Sequence, residues 1–345
     1  MSVFPEQVAS NKFGQALLFD NKPRAAILAL NRAKGFTDAA QDAANSMMNK
    51  IAKHMETLAA MENTAERLSL TNCMVVDPDK ASNNLVSESY NEMGIPEAYC
   101  FADGADAWGY LETPEAVMPD VIIMEWRLPG LSGSAFLQRI MNSKYSGVPV
   151  IIFTSLLKVT NDEILVKEMG VLEVLDKPCT KTNLKAKIDS VLTEDRRPKE
   201  AIALVKRVRS YLREGKLLEG KELFNQINEN KNFPNTTKRA LAAEVAFHHG
   251  QYETASIIGI EALQMGGEDL HVLNLLGKTY MKLRFFEQSL AFFDRAKKMS
   301  PNNIQRLCQL AEVKTEMGDH SDAEESISSA AKIDGGSADV KQAKA

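Results

Sequence analysis

Apolar residues along this chain fall into three regimes. Over residues 1–70 they recur at three- and four-residue steps, the spacing of one helix face. Over 71–194 short apolar runs alternate with amphipathic stretches. The charged residues 195–200 are expected to be a linker, and beyond 200 the spacing is helical again and repeats. The middle regime predicts five strands, at 73–77, 99–101, 121–125, 148–153 and 171–175. Helices are predicted between and after them, at 80–93, 104–111, 134–142, 161–169 and 181–192. The run Val121-Ile122-Ile123-Met124 has no polar alternation, so that strand is buried on both faces. Short buried strands alternating with helices imply an α/β fold with a doubly wound parallel sheet.

The third regime carries a period of about 34 residues. Counted from Leu270, the residues Leu276, Gly277, Tyr280, Ser289, Phe293, Ala296 and Pro301 hold its signature positions. Ser289 stands where alanine is usual. The frame extends back through Ala242, Ala243, Gly250, Tyr252, Ala255 and Ala262, and forward through Leu310, Ala311, Gly318, Ala323, Ile327 and Ala330. A weaker copy begins near Ala201. This pattern resembles tetratricopeptide repeats, and about four are read over 201–337. The resemblance implies an α-solenoid of helix pairs with a concave groove lined by the first helix of each unit. By frame, Arg209, Glu244, Asn274, Lys278, Met281 and Glu312 are the candidate groove residues for a protein partner. Residues 338–345 are polar and are expected to fray.

Over 1–70, a helical face at 13–19 is broken by Asn21-Lys22-Pro23. A second helix follows to about Lys34, and a third runs over 37–68. Ala16, Asn21, Ala26 and Ala33 make the first pair a candidate repeat-like hairpin. Met48, Ile51, Met55, Leu58 and Met61 give the third helix one apolar face. That face suits packing on a neighbouring domain or a homodimer, and the spacing leaves both open.

Composition narrows the class. The net charge is −5, with no basic stripe, which argues against nucleic-acid binding. The four cysteines form no C-x-x-C pair, so reduced thiols in a cytoplasmic protein are expected. No apolar run is long enough for a membrane span, and no signal peptide is read. No Gly-rich phosphate loop or nucleophile–histidine pair points to an enzyme.

The chemistry gathers at the strand ends. Asp77 ends the first strand, Glu125 the third and Thr154 the fourth, and Lys177 follows the fifth. In an open parallel sheet these ends share one rim. With Lys177-Pro178, with Asp103-Gly104, and with Leu128-Pro129-Gly130-x-x-Gly133, they resemble the receiver domain of two-component response regulators over about 71–194. The resemblance implies a flavodoxin-like fold and a cis Lys177-Pro178 bond. It also implies an aspartate after the third strand that accepts a phosphoryl group from a histidine kinase. Two acids after the first strand would help hold Mg²⁺, and a hydroxyl and a lysine would read the phosphoryl oxygens. Asp77, Thr154 and Lys177 match these roles. Pro78 replaces the second metal acid, and Asp79 is one residue late. Glu125 replaces the acceptor aspartate, and Val174 an aromatic residue on the fifth strand. Arg127 holds the position whose carbonyl usually meets the metal.

Glutamate carries its carboxylate about 1.5 Å further out. A misplacement near 1 Å can cost about 100-fold in rate. Arg127 and Lys177 are expected to neutralise Asp77 and Glu125 where Mg²⁺ would sit. The chain is therefore expected to be a non-catalytic adaptor without cofactor or metal. It would bind a protein through the groove, with the receiver face as a second surface. Three rivals remain: a response regulator working by phosphorylation, an unrelated enzyme, and a DNA-binding regulator.

Overall fold

The computed structural model describes residues 70–95, 97–155, 160–171, 173–196 and 201–344. The expected N-terminal helices and their candidate dimer surface lie outside these residues. Leu70–Asn91 and Ile95–Ala345 form one compact unit.

Five parallel strands make one sheet: β1 (Asn72–Val76), β2 (Glu97–Phe101), β3 (Ile122–Met124), β4 (Val150–Thr154) and β5 (Glu173–Asp176). Their order is β2-β1-β3-β4-β5. The three central strands are buried along their whole length, which is what their unbroken apolar runs require. The edge strands β2 and β5 are only partly buried, and they carry the polar residues. Five helices connect and cover the sheet: α1 (Lys80–Glu92), α2 (Gly104–Leu111), α3 (Gly133–Met141), α4 (Thr160–Glu168) and α5 (Lys181–Arg196). Strand order reverses between β1 and β3, which opens a crevice at their carboxyl ends.

The turn after β3 shows why its glycines are there. Gly130 has φ +63°, a left-handed backbone that a side chain disfavours. A Cβ on Gly133 would lie 2.2 Å from the Trp126 carbonyl oxygen. Without one, the Gly133 N–H reaches that oxygen at 3.2 Å and α3 starts directly beneath the crevice.

Helix α5 runs through Arg196, so residues 195 and 196, expected in a linker, are helical. Their charged side chains are compatible with helix, and Arg196 pairs with Asp120 at 2.5 Å. The remainder of that expected linker, 197–200, lies outside the described residues.

The C-terminal region is helical throughout. Helices α6 (Ala201–Arg213) to α13 (His320–Asp334) form four antiparallel-type pairs in sequence, with α7 (Leu217–Glu229), α8 (Asn235–His248), α9 (Tyr252–Gly266), α10 (Leu270–Lys282), α11 (Phe286–Met299) and α12 (Ile304–Glu316) between them. Small residues mark the crossings. Ser289, the departure from alanine, is fully buried and donates to the Gly277 carbonyl at 2.8 Å, which satisfies its hydroxyl. A Cβ on Gly277 would lie 2.6 Å from the Phe293 ring. Gly277→Val is expected to destabilise the protein by about 1–3 kcal/mol through overpacking. Gly109→Ala, in a helix with open space around it, is expected to stabilise by up to about 1 kcal/mol. Urea unfolding of the two variants checks the opposite signs.

Residues 338–344, expected to fray, form a further helix, α14 (Ala338–Lys344). Ser337 caps it by accepting from the Val340 N–H at 3.2 Å. Val340 is fully buried against Ile304, Leu307 and Ala330. One cap and one apolar anchor suffice to order a segment whose composition is otherwise polar.

Candidate functional site

The sheet register builds the pocket. Val76 pairs with Met124, and Met124 with Ile152, so Asp77 and Glu125 emerge side by side just beyond β1 and β3. Thr154 pairs with Asp176, which places Lys177 next beyond it. Backbone bonds extend the ladder, from the Glu125 N–H to the Val76 oxygen at 2.9 Å and from the Lys177 N–H to the Thr154 oxygen at 3.1 Å. The Lys177-Pro178 peptide is cis.

The four side chains form one network. The Lys177 ammonium donates to Asp77 Oδ2 at 2.5 Å and to Glu125 Oε2 at 2.9 Å. Thr154 Oγ1 donates to Glu125 Oε1. The backbone N–H groups of Trp126 and Arg127 donate to the same oxygen at 2.6 and 3.2 Å. Asp77 Oδ1 accepts from the Asp79 N–H at 2.9 Å. Both carboxylates are buried.

Burial pushes the Glu125 carboxyl up, but its bonds from Thr154, Lys177 and the Arg127 backbone outweigh that and hold it below the usual carboxylate range. At Asp77 burial wins over the pull of Lys177, and its carboxyl is raised. Burial works against the Lys177 charge, yet the two acids hold its ammonium above the ordinary value.

Arg127 departs from expectation. Its side chain is exposed, and among the described residues its guanidinium pairs with neither acid. The turn after β3 aims it outward, and only its backbone N–H enters the pocket. Among the described residues, neutralisation therefore comes from one cation, Lys177. Pro78 is exposed and offers no ligand atom. Asp79 is turned to α1, where it accepts from the N–H groups of Ala81 and Ser82 at 3.1 and 3.2 Å and from Ser82 Oγ at 2.8 Å. Met124 and Trp126 belong to the core, and Val174 packs against it. The Trp126 indole donates to Asp162 Oδ2 on α4 at 3.0 Å.

The groove residues are placed on the first helices of the pairs, and most have partners within the chain. Arg209 grips Glu244 with three hydrogen bonds of 2.7–3.0 Å. Lys278 donates to Gln305 at 3.1 Å. Met281 packs against the cluster of Phe293, Leu310 and Val313 rather than standing free. Glu312 is exposed. Asn274 is occupied: its amide donates to Glu168 Oε1, at the end of α4, at 2.8 Å.

Comparison with known proteins assigns the two regions. The response regulator receiver domain model matches residues 73–189. The tetratricopeptide repeat model matches 270–303. The chain carries a receiver domain followed by a tetratricopeptide repeat. A chemotaxis protein CheY homolog of Campylobacter jejuni is 26% identical over 121 residues, which are 34% of this chain and 90% of that protein. The chemotaxis response regulator CheY4 of Vibrio cholerae is 24% identical, with a TM-score of 0.32, over 35% of this chain and 98% of that one. A CheY-like receiver domain protein of Methanospirillum hungatei is 18% identical, with a TM-score of 0.34, over 38% of this chain and 99% of that one. The receiver domain and the repeat together support a response regulator with a protein-interaction region.

Sequence reasoning missed how the receiver meets the repeats. Arg306 of α12, only 2% exposed, donates to Glu168 Oε1 at 2.6 Å. Asn303 donates to the same oxygen at 2.8 Å. Arg139 of α3 makes a two-pronged pair with Asp334 at 2.6 and 2.7 Å, and its guanidinium lies over the Trp108 ring. Gln138, also of α3, donates to the Asn302 oxygen at 3.1 Å and accepts from the Ile304 N–H at 2.7 Å. The signal was available at one position. Arg306 stands 34 residues after Val272, at a core register of the repeat, where a lone cation needs a buried partner.

Proposed function

We propose that this protein is a non-catalytic signalling adaptor. Its receiver holds a fixed, metal-free arrangement of the pocket, and its repeats bind a protein partner. The observation that carries this reading is the Lys177 ammonium seated between Asp77 and Glu125. Mg²⁺ needs near-octahedral oxygen donors and few but well-placed carboxylates. Here one metal acid is Pro78, Asp79 is spent on capping α1, and both remaining carboxylates are engaged by the ammonium. The donor set does not fit the ion.

Phosphoryl transfer to a carboxylate relies on positioning and on charge neutralisation of the transferred group. Glu125 offers a nucleophile whose Oε1 already accepts three hydrogen bonds and whose Oε2 is ion-paired. That carboxylate takes up both Thr154 and Lys177, the two groups that would otherwise meet a phosphoryl oxygen. On this reading Glu125 stands in for the modified residue and keeps the receiver in one state.

The test is labelling with a small phosphodonor in the presence of Mg²⁺. The wild-type chain is expected to take up no label, within an intact-mass limit of a few per cent. Glu125→Asp with Pro78→Asp restores an acceptor of the shorter reach and a second metal acid, and is expected to label at least about 100-fold faster. Stoichiometric labelling of the wild type that disappears in Glu125→Ala would overturn the reading and favour the phosphorylation-responsive regulator.

A further inference from the structure

A buried amine without a partner lies where the last receiver helix gives way to the first repeat helix. A cavity there is lined by Glu194 and Asp195 of α5, by Gly147 on the loop before β4, and by Lys206, Arg207 and Ser210 of α6. It is narrow, about 10 Å³, room for one water-sized molecule, and it reaches solvent. Lys206 Nζ is enclosed and makes no hydrogen bond among the described residues. The groups around it are committed elsewhere. The Arg207 guanidinium donates to the Asp195 carbonyl oxygen and lies 3.9 Å from the Asp195 carboxylate. Ser210 donates its hydroxyl to Glu214 at 2.6 Å, and Glu214 also pairs with Lys216. A Cβ on Gly147 would lie 3.1 Å from Glu214 Oε1, so the receiver side of the wall is closely fitted. Burial pushes the Lys206 ammonium down to about 8; Arg213 and Arg207 push the same way, and Asp195 opposes them. At neutral pH about a tenth of such a group is the uncharged amine. A desolvated lysine beside other cations is a nucleophile.

We infer that Lys206 is a carbamate site: its neutral amine takes up carbon dioxide, and the anion formed rests in the field of Arg207 and Arg213. The inference goes beyond the adaptor reading and does not depend on it. The step balances without a further reactant. The Nζ lone pair forms a bond to the carbon of carbon dioxide, one C–O π pair moves onto oxygen, and one Nζ proton leaves to solvent. A negative group then stands where a positive one stood. Arg213 and Arg207, which work against the ammonium, work for the carbamate. Asp195 and Glu194 oppose it, the first with Arg207 beside it. Two features favour carbon dioxide as the reactant. The space beside Nζ suits a small linear molecule and excludes a bulky carbonyl compound. A preformed anion would have to shed its water next to Glu194 and Asp195, whereas carbon dioxide enters uncharged.

The experiment equilibrates the full chain with isotopically labelled carbon dioxide at fixed pressure. The carbamate is trapped as its ethyl ester with triethyloxonium and located by peptide mass, and NMR at the labelled carbon follows it in the untrapped protein. Lys206 is expected to carry at least about tenfold more label than the exposed lysines, whose amines stay protonated. Labelling of the α-amino group is not counted. Occupancy of Lys206 is expected to fall at least about tenfold between about pH 8 and about pH 6.5, as the amine takes up its proton. Lys206→Arg keeps a cation that does not lose its proton, and is expected to abolish the signal, as is Lys206→Met. Each variant is compared at an unchanged unfolding midpoint, and if neither folds the peptide map of the wild type decides alone. No trapped label on Lys206, label there no stronger than on exposed lysines, or a carbamate signal that persists in folded Lys206→Arg would each overturn the inference. A shifted bicarbonate resonance without trapped label would mean a non-covalent anion, and would overturn it as well.

Discussion

Glu168→Ala is expected to destabilise the protein by about 3–5 kcal/mol. The reason is what it leaves behind. Arg306 is 2% exposed, and its Nη1 would keep only Asn274 as a partner once the carboxylate is gone. Asn274 and Asn303 would lose their acceptor at the same time. An uncompensated buried cation is far costlier than an absent ion pair. The contrast supplies the check: Glu168→Leu combined with Arg306→Leu removes both charges and is expected to recover most of the loss. Equilibrium unfolding in urea measures both. A double variant as unstable as Glu168→Ala would show that shape, not charge, governs this contact.

The second large effect belongs to the pocket. Lys177→Met removes the ammonium that sits between two buried carboxylates, and at neutral pH the expected cost is again about 3–5 kcal/mol. The pH dependence carries the diagnosis. In the wild type Glu125 has its folded pKa held low. Its contribution is therefore fully present above the ordinary glutamate value of about 4.3, and is lost as pH falls through the depressed folded value. Asp77 works in the opposite sense, since its folded pKa is raised and it favours the folded state as pH falls. Without Lys177 both acids are left to burial and mutual repulsion, which raise them together. The folded variant then binds more protons than the unfolded chain, so its stability rises as pH drops. The difference between wild type and Lys177→Met is expected to shrink steadily below about pH 5. A difference independent of pH would mean that Lys177 contributes packing alone.

The sequence was most legible where a strand ends. A buried apolar run fixes where its terminal polar residue must emerge, and Asp77, Glu125, Thr154 and Lys177 all met in one network for that reason. Legibility fell one residue into the following turn. Nothing in the spacing of Arg127 says that its backbone faces inward and its guanidinium outward. The repeat frame located the inner helix positions through the small residues that let helices cross, as at Gly277 and Phe293. It could not tell which of those positions the chain would use itself. Asn274 reads as an open groove residue because its partner, Glu168, reads as an ordinary acid in the last turn of a surface helix. Contacts over 106 positions, such as this one, leave no local pattern. The order of α14 was hidden for a different reason. It depends on the Ser337 cap and the Val340 anchor, and one strongly apolar residue in a polar segment does not make a period.

Arg306 also bears on how freely the helical region could vary. Repeat arrays ordinarily tolerate the gain or loss of a unit, since each unit touches only its neighbours. Here the fourth pair carries the cradle for Glu168, Gln138 grips its entrance, and Arg139 grips its end at Asp334. Deleting the third pair, or inserting another before the fourth, would carry that cradle one superhelical step away from α4. The number of units between the receiver and Arg306 is therefore set by the sheet domain at the far end of the contact, and the array behaves as a part cut to length rather than as a string of interchangeable modules.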